Sequence, residues 1–244
     1  MTNRLACVGT GGDPAQPVHD AATVVLLRDR PGGFECLMLR KTEGQTFAGL
    51  WVFPGGRVEE DRDGTGLDGA RAAAVREAAE ETGLVLDGAA LLPLAHWTPP
   101  LRAPRRYLTW FFVAPMPAGA TEVVVDGGEI GDHVWVRPVH ALAEHRNGRT
   151  DLLPPTWMTL NRLAASADVS QALADVASGP VERFTTDIRL DGGGVPVAVW
   201  EGDVAYVSPA GLAAAADRSL PDLDQPGPRH RLTMDPEGWR YERT

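Results

Sequence analysis

The chain has 244 residues, enough for one domain with an extension and for a hydrophobic core that needs no disulfides or metals to hold it together. Its 23 basic and 33 acidic side chains give a formal net charge of −10, which argues against a protein that binds DNA or RNA through a basic surface. The two cysteines, Cys7 and Cys36, belong to no CxxC or Cys/His cluster, so we expect no zinc finger and no disulfide framework, and we predict a reducing, cytoplasmic location.

The first twenty residues contain several glycines and prolines and show no periodic pattern. Residues 1–20 are therefore predicted to form a flexible N-terminal arm. They lack the uninterrupted apolar run of a secretory signal, and no segment of the chain approaches the roughly 18 apolar residues of a membrane span. We expect neither a membrane nor a nucleic acid among the partners of this protein.

Three short apolar runs follow the arm and are predicted to be strands. Two of them begin at Ala21 and Phe34 and flank a turn signal at 29–33. The third, at 50–53, stops at Pro54, which cannot donate to a sheet, and at two glycines that allow close approach of another group to the backbone.

The strongest predicted helix runs from Asp68 to Thr82, because it is rich in alanine, arginine and glutamate. Asp68 is predicted to cap its N-terminus and Gly83 to end it. Further strands are predicted at 91–97, 107–114, 122–125 and 134–136, and further helices at 138–145, 157–165 and 170–177. From about residue 180, strand-like pieces alternate with turns, at 184–190, 195–200, 204–207 and 231–241. This order of sheet, helix, sheet, helix and a mixed appendage predicts an α/β or α+β fold.

Three acids of the predicted helix share one face, since each residue advances about 100° around the axis. They are Glu77, Glu80 and Glu81. The opposite, small-residue stripe is predicted to lie on the sheet, and it consists of Ala72, Val75 and Ala79. Like charges three and four residues apart cost about 0.2–0.5 kcal/mol each, and the helix dipole disfavours them further near a C-terminus.

A bound divalent cation would reverse both of these unfavourable effects. Oxygen ligands without histidine or cysteine suit Mg²⁺ or Mn²⁺. The acidic face and the neighbouring glycine turn therefore indicate metal-assisted phosphoryl chemistry. The alternative interpretation is an ordinary solvated acidic face.

Gly56 and the run from Arg76 to Leu84 resemble the Nudix box, GX5EX7REUXEEXGU, in which U is aliphatic. The second half of the box is complete, whereas eleven residues instead of five separate Gly56 from Asp68. Asp68 keeps the seven-residue spacing to Arg76 and is matched to the first glutamate of the box. The residues matched to the box are Gly56, Asp68, Arg76, Glu77, Glu80, Glu81 and Gly83.

The resemblance implies an α/β fold, an α/β/α sandwich with a mixed sheet over residues 21–150, followed by a C-terminal α+β extension at 151–244. It also implies Mg²⁺-dependent hydrolysis of a diphosphate bond in a nucleoside diphosphate linked to another group, by attack of metal-activated water, with Mn²⁺ as an alternative cofactor. The implied metal ligands are Glu77, Glu80, Glu81 and the carbonyl of Gly56. Arg76 would be their structural partner, and the general base would be Glu77 or a loop acid such as Glu129.

Residues 46–56, with the acids that follow them, resemble the coenzyme A diphosphatase, peroxisomal-type branch of the family, although Phe47 stands where the usual signature has histidine. This resemblance implies coenzyme A or an acyl derivative as the small-molecule substrate. The residues predicted to contact the substrate are Arg105, Arg106, Arg40 and Phe47.

Two alternatives stay open. One is a pyrophosphatase of ADP-ribose, NADH or a nucleotide sugar, and the other is a catalytically silent Nudix-like ligand-binding protein. Residues 151–244 are predicted to pack on the Nudix domain, where they would cover the active site or form a homodimer interface.

Overall fold

The computed structural model describes residues 16–42, 44, 48–119, 122–125, 127–214 and 220–244. Phe47 and residues 1–15 of the predicted arm lie outside these residues. The chain divides into two compact units. The larger comprises His19–His96 and Leu108–Glu182, and the smaller comprises Trp97–Tyr107 and Arg183–Thr244 with the described residues up to Val18. Residues 151–182, which the sequence analysis assigns to the extension, thus group with the larger unit.

The first sheet contains seven strands that lie wholly or mainly in the larger unit. They are β1 (Val18–Arg30), β2 (Gly33–Lys41), β3 (Trp51–Val52), β4 (Gly55–Arg57), β5 (Leu92–Thr98), β6 (Arg106–Pro115) and β7 (Ile130–Val136). Their order is β3-β2-β1-β6-β5, with β4 paired to β1 and β7 paired to β2. The helices of this unit are α1 (Glu60–Asp63), α2 (Gly66–Thr82), α3 (Pro138–Arg146), α4 (Pro154–Leu163) and α5 (Val169–Ser178). The α/β fold with a large mixed sheet is therefore confirmed.

Helix α2 packs on this sheet through a different stripe from the one that the sequence predicted. The buried residues of its packed face are Ala70, Ala73, Ala74 and Ala78, in one core cluster with strand residues that include Leu37 and Leu39. Ala72, predicted to be buried, is exposed. Both stripes consist of small residues, so helical periodicity fits either of them. The buried stripe continues to Glu81, so this acid lies at the end of the packed face, whereas Glu80 is exposed.

The ends of α2 follow the prediction at one terminus only. The helix begins at Gly66, so Asp68 lies in the first turn and is not the N-cap. Gly83 ends the helix as predicted, with a left-handed φ of 71° and an N–H that donates to the carbonyl of Ala79 at 3.0 Å. Glycine suits this position because it adopts positive φ without steric cost.

One predicted boundary and two predicted strands are wrong. Strand β1 begins at Val18, so the last residues of the predicted arm are strand. Residues 122–125 form no strand, because the N–H of Val124 donates to Thr82 at the end of α2 and not to a neighbouring strand. Residues 204–207 form a turn and coil, because the carboxylate of Asp203 accepts a hydrogen bond from the N–H of Ala205.

The smaller unit has a second, antiparallel sheet. Its strands, in the order β12-β11-β10-β9, are β9 (Asp187–Leu190), β10 (Pro196–Val199), β11 (His230–Asp235) and β12 (Gly238–Arg243). The unit also contains most of β8 (Glu182–Thr185) and helix α6 (Pro209–Ala214). The sequence predicted one strand over 184–190, but the chain forms two, since the N–H of Thr186 donates to Thr98 between them.

Aromatic stacking and a buried ion pair hold the smaller unit together. The rings of Trp97 and Phe184 stack with centroids 4.0 Å apart, and the Trp200 ring meets Phe184 edge-on at 5.1 Å. Arg231 donates to both carboxylate oxygens of the fully buried Asp203, at 2.7 and 2.5 Å. In the described part of the chain, no helix is both long and apolar enough to cross a membrane.

Candidate active site

The two glycines after Pro54 lie in β4, whose pairing with β1 carries them to helix α2. Gly55 has a φ of 155°, and a Cβ at this position would collide with the backbone of Ala22 and Thr23. A Cβ on Gly56 would overlap the carboxylate of Glu77. Glycine at both positions therefore lets a helix carboxylate lie directly against the strand backbone.

Glu81 is the most enclosed acid of the cluster, with 4% of the residue exposed. One carboxylate oxygen accepts a hydrogen bond from the N–H of Gly55 at 2.8 Å, and the other accepts from the Nζ of Lys41 at 2.8 Å. Burial raises the pKa of Glu81 to about 7, although the ammonium and the Gly55 N–H act in the opposite direction. This acid is held in place by strands β2 and β4 before any ligand binds.

Glu129, the predicted loop acid, lies immediately before β7 and close to the box. Its carboxylate accepts a hydrogen bond from the same Lys41 ammonium, at 2.6 Å. Its backbone carbonyl accepts from the N–H of Thr42 at 3.0 Å. The structure thus brings the carboxylates of Glu129 and Glu81 to the same ammonium group, as expected for acids of one site.

Arg76 is held by hydrogen bonds to residues between Gly56 and Asp68, the segment in which the box is longer than usual. Its guanidinium donates to both carboxylate oxygens of Asp63 in α1, at 3.0 and 2.9 Å, and to the carbonyl of Arg57 at 2.9 Å. The hydrogen bonds from Arg76 lower the pKa of Asp63 below its ordinary value. The same guanidinium reaches Glu77 at 2.8 Å and Glu80 at 3.2 Å. Arg76 therefore connects the inserted segment to two acids of the predicted metal site.

Asp68 does not contact Arg76, although its spacing matches the box. Its side chain is 95% exposed and pairs with Arg71 at 3.3 Å. Asp63 provides the carboxylate for Arg76 instead, and the sequence analysis missed it because spacing alone was used to select the match. The sequence did contain a signal for this role, because Asp63 is an acid within the longer segment and lies close to the start of the helix.

The remaining acids differ in their surroundings. Burial raises the pKa of Glu77, although the neighbouring Arg76 lowers it. Glu80 is about half exposed and pairs with Arg62 of α1 at 2.9 Å as well as with Arg76. The inserted helix α1 therefore contributes an arginine to Glu80 in addition to the carboxylate that holds Arg76.

The predicted substrate contacts belong to different parts of the chain, and Phe47 lies outside the described residues. Arg40 is exposed, and its neighbour Lys41 is the residue that reaches the carboxylates. Arg105 and Arg106 belong to the smaller unit, whereas the box lies in the larger one. The sequence signal for Lys41 was the alternation of side chains along a strand. Leu37 and Leu39 face α2, so Lys41, two residues further on, is expected on the same side.

The donor chemistry of this cluster fits a hard divalent cation, since it offers carboxylate oxygens and the carbonyl of Gly56. Within the described ranges, no three acidic, histidine or cysteine side chains are already gathered as a metal-binding group. The carboxylates are instead neutralised by lysine and arginine. Binding of a cation by these residues therefore requires an exchange of partners at the carboxylates.

The chain is similar to known proteins in sequence and in structure. The NUDIX domain matches residues 17–155, which is more than half of the chain. A NUDIX hydrolase from Alicyclobacillus acidocaldarius is similar in structure with a TM-score of 0.61 and 20% identity, over 68% of this chain and 100% of that chain. The NUDIX domain of Shewanella oneidensis NrtR, complexed with ADP ribose, gives a TM-score of 0.48 and 17% identity, over 66% of this chain and 96% of that chain. Among curated proteins, none matches.

The structural similarity at this low identity shows the fold, and the domain match shows the family. The domain match includes all the box residues, from Gly56 to Gly83, and also Glu129. The chain therefore belongs to the Nudix family and is a hydrolase of nucleoside diphosphate derivatives.

Proposed function

We propose that this hydrolase uses Mg²⁺, with Mn²⁺ as an alternative, to cleave the diphosphate bond of coenzyme A or an acyl derivative. The observation that carries the metal-dependent hydrolysis is the convergence of Glu77 and Glu81 on the Gly55-Gly56 turn. The choice of coenzyme A is supported by the resemblance of residues 46–56 and by the insertion in the box. A cytoplasmic location follows from the cysteine usage and is part of the same proposal.

Each acid of the site has a proposed role in holding the cation. Glu77, Glu80, Glu81 and the carbonyl of Gly56 would be its ligands. When bound, the cation supplies charge neutralisation of the diphosphate and makes water a better nucleophile. Arg76 fixes the direction of the Glu77 and Glu80 carboxylates through its own anchor on Asp63.

Two acids are candidates for accepting the proton of the attacking water. Glu129 has a partly exposed carboxylate on a loop, where water has access. Glu77 is half-buried, and burial raises its pKa, which favours a proton acceptor near neutral pH. Arg40, Arg105, Arg106 and Phe47 stay predictions as substrate contacts.

The substrate is tested by incubating the purified protein with Mg²⁺ and, separately, coenzyme A, ADP-ribose, NADH and UDP-glucose. We expect 3′,5′-ADP and phosphopantetheine from coenzyme A, identified by mass, and no products when EDTA is present. Products from ADP-ribose, NADH or UDP-glucose but none from coenzyme A would favour the alternative, a pyrophosphatase of one of these compounds. No turnover of any compound would contradict the proposed hydrolysis.

The close contact between strand and helix is tested by Gly56→Ala. The added Cβ overlaps the Glu77 carboxylate and displaces it, and a displacement of about 1 Å costs on the order of 100-fold in rate. We therefore expect kcat for the identified substrate to fall about 100-fold. Gly192→Ala is the matched control, because Gly192 has open space around it and no positive φ. Equal rates for the two variants would contradict the role of this contact.

A further inference from the structure

Lys41 is the only lysine of the chain, and its side chain lies between two acids of the candidate active site. Its Nζ is 2.8 Å from Glu81 and 2.6 Å from Glu129, and its side chain is 9% exposed. The proposed function assigns one of these acids to metal binding and the other to proton transfer. A divalent cation that takes Glu81 as a ligand therefore has to compete with the ammonium.

The fold explains how this lysine comes to the carboxylates. Lys41 follows Leu37 and Leu39 on the face of β2 that packs against α2. The pairing of β2 with β7 shifts register at this point, where Arg40 pairs with Asp132 but Lys41 pairs with Ile130. Such bulges redirect side chains and occur often beside active sites.

The backbone around Lys41 is fixed, whereas its side chain is long. The carbonyl of Lys41 accepts from the N–H of Gly49 at 3.0 Å, and the next residue, Thr42, donates to Glu129. Four methylene carbons carry the ammonium beyond this anchored backbone. The charge is thus free to change partners without a change in the strand.

Loss of Glu81 to a divalent cation would leave the enclosed ammonium with one carboxylate partner, the partly exposed Glu129. An enclosed charge is unfavourable unless it is well paired, so the ammonium would be stabilised by a second anion. The diphosphate of the substrate is an anion that this same cation would hold. An ammonium pairs well with phosphate oxygens through charge-assisted hydrogen bonds.

We propose that Lys41 exchanges partners during the catalytic cycle: it neutralises Glu81 and Glu129 in the cation-free protein, and it moves from Glu81 to a phosphate oxygen of the substrate when a divalent cation takes that carboxylate. The proposal rests on the proposed metal-dependent hydrolysis. It assigns to Lys41 the substrate contact that the sequence analysis placed at its neighbour Arg40.

The single lysine allows a direct spectroscopic test in the intact protein. Lysine labelled with ¹³C at Cε gives one methylene signal next to Nζ in the folded chain. We expect Mg²⁺ to shift this signal as the ammonium leaves the carboxylate of Glu81. Methylenediphosphonate, a non-hydrolysable pyrophosphate analogue, should then shift it again, but only when Mg²⁺ is present. A signal that does not move at saturating Mg²⁺ would overturn the exchange. A signal that moves with Mg²⁺ but shows no second shift when methylenediphosphonate is added would overturn the phosphate contact.

Two variants separate this role from a structural one. Lys41→Met should bind Mg²⁺ about tenfold more tightly, because a competing cation is gone. In saturating Mg²⁺ the same variant should bind methylenediphosphonate about tenfold more weakly. Lys41→Arg keeps the charge and should stay close to the unchanged protein in both titrations.

A purely structural role predicts that both affinities fall together in Lys41→Met, and that result would overturn the proposal. If Lys41→Met does not fold, the labelled wild-type protein still decides the question. Failure of the proposed function shows separately, as the absence of products in the mass assay. Products together with an unmoved Lys41 signal would reject the exchange and leave the hydrolase function standing.

Discussion

Glu81→Gln is expected to lower the turnover of the identified substrate about 1000-fold while helix α2 stays folded. The substitution removes one negative charge from the carboxylate cluster, and a preorganised electrostatic contact of this kind is worth 100- to 1000-fold in rate. Glutamine has nearly the same shape, so the packing of the helix against the sheet changes little. The loss should therefore appear in kcat and in Mg²⁺ affinity, measured by turnover assays and calorimetric titration.

The local cost to stability in this variant can be anticipated from the two donors that Glu81 accepts. The amide oxygen of glutamine can take the N–H of Gly55 or the ammonium of Lys41. If it takes the ammonium, which also keeps Glu129, the N–H of Gly55 loses its partner. An unsatisfied buried donor costs about 1–3 kcal/mol, which is less than the stability of a typical domain. Circular dichroism at the assay temperature checks that the variant is folded.

Asp68→Asn is the matched control, since it removes a negative charge from the same helix at a 95% exposed position. We expect its turnover to equal that of the unchanged protein. An undiminished rate of Glu81→Gln at saturating Mg²⁺, or an equal loss in both variants, would contradict the metal-ligand role of Glu81.

The parts of this site that could be predicted from sequence depend on spacing within one segment. Glu77 and Glu81 lie one helical turn apart, so any helix over this segment places them on one face. Gly83 ends the helix because the chain there needs positive φ, which glycine tolerates best. These are local properties, and the structure confirms the helix and its C-terminal end.

The face that α2 buries could not be predicted, because it depends on tertiary contacts. Ala72 and Ala73 are the same amino acid, so neither helix propensity nor size distinguishes them, yet only Ala73 is buried. The assumption that acids must face solvent selected the wrong stripe. In the folded chain, Glu81 is buried with both carboxylate oxygens satisfied, by Lys41 and by the N–H of Gly55.

The partners of the acids were missed because they come from other segments. Lys41 precedes Glu81 by 40 residues, and Asp63 precedes Arg76 by 13. Pattern matching over the box favoured Asp68, whose seven-residue spacing is correct but whose side chain points to solvent. The short helix α1 within the insertion supplies the anchoring acid, and no fixed spacing rule includes it.

Asp63→Asn is expected to lower the free energy of unfolding by about 3 kcal/mol, whereas Asp68→Asn should change it by less than about 0.5 kcal/mol. The Asp63 carboxylate is 3% exposed and binds the 9% exposed guanidinium of Arg76 through two hydrogen bonds. Loss of one partner of such an enclosed pair leaves the other charge less compensated. Urea denaturation of the three proteins at pH 7 gives the comparison.

The pH dependence of this difference distinguishes an ion pair from a packing effect. The hydrogen bonds from Arg76 lower the pKa of Asp63 below the ordinary 3.8, so the folded state binds this proton less tightly than the unfolded state. The stabilisation is therefore complete well above pH 3.8 and disappears as the pH falls through the lowered pKa. Urea denaturation at decreasing pH should show Asp63→Asn and the unchanged protein converging in acid. A constant gap between the two curves would mean that Asp63 stabilises the site through its shape, and that Arg76 is positioned by other contacts.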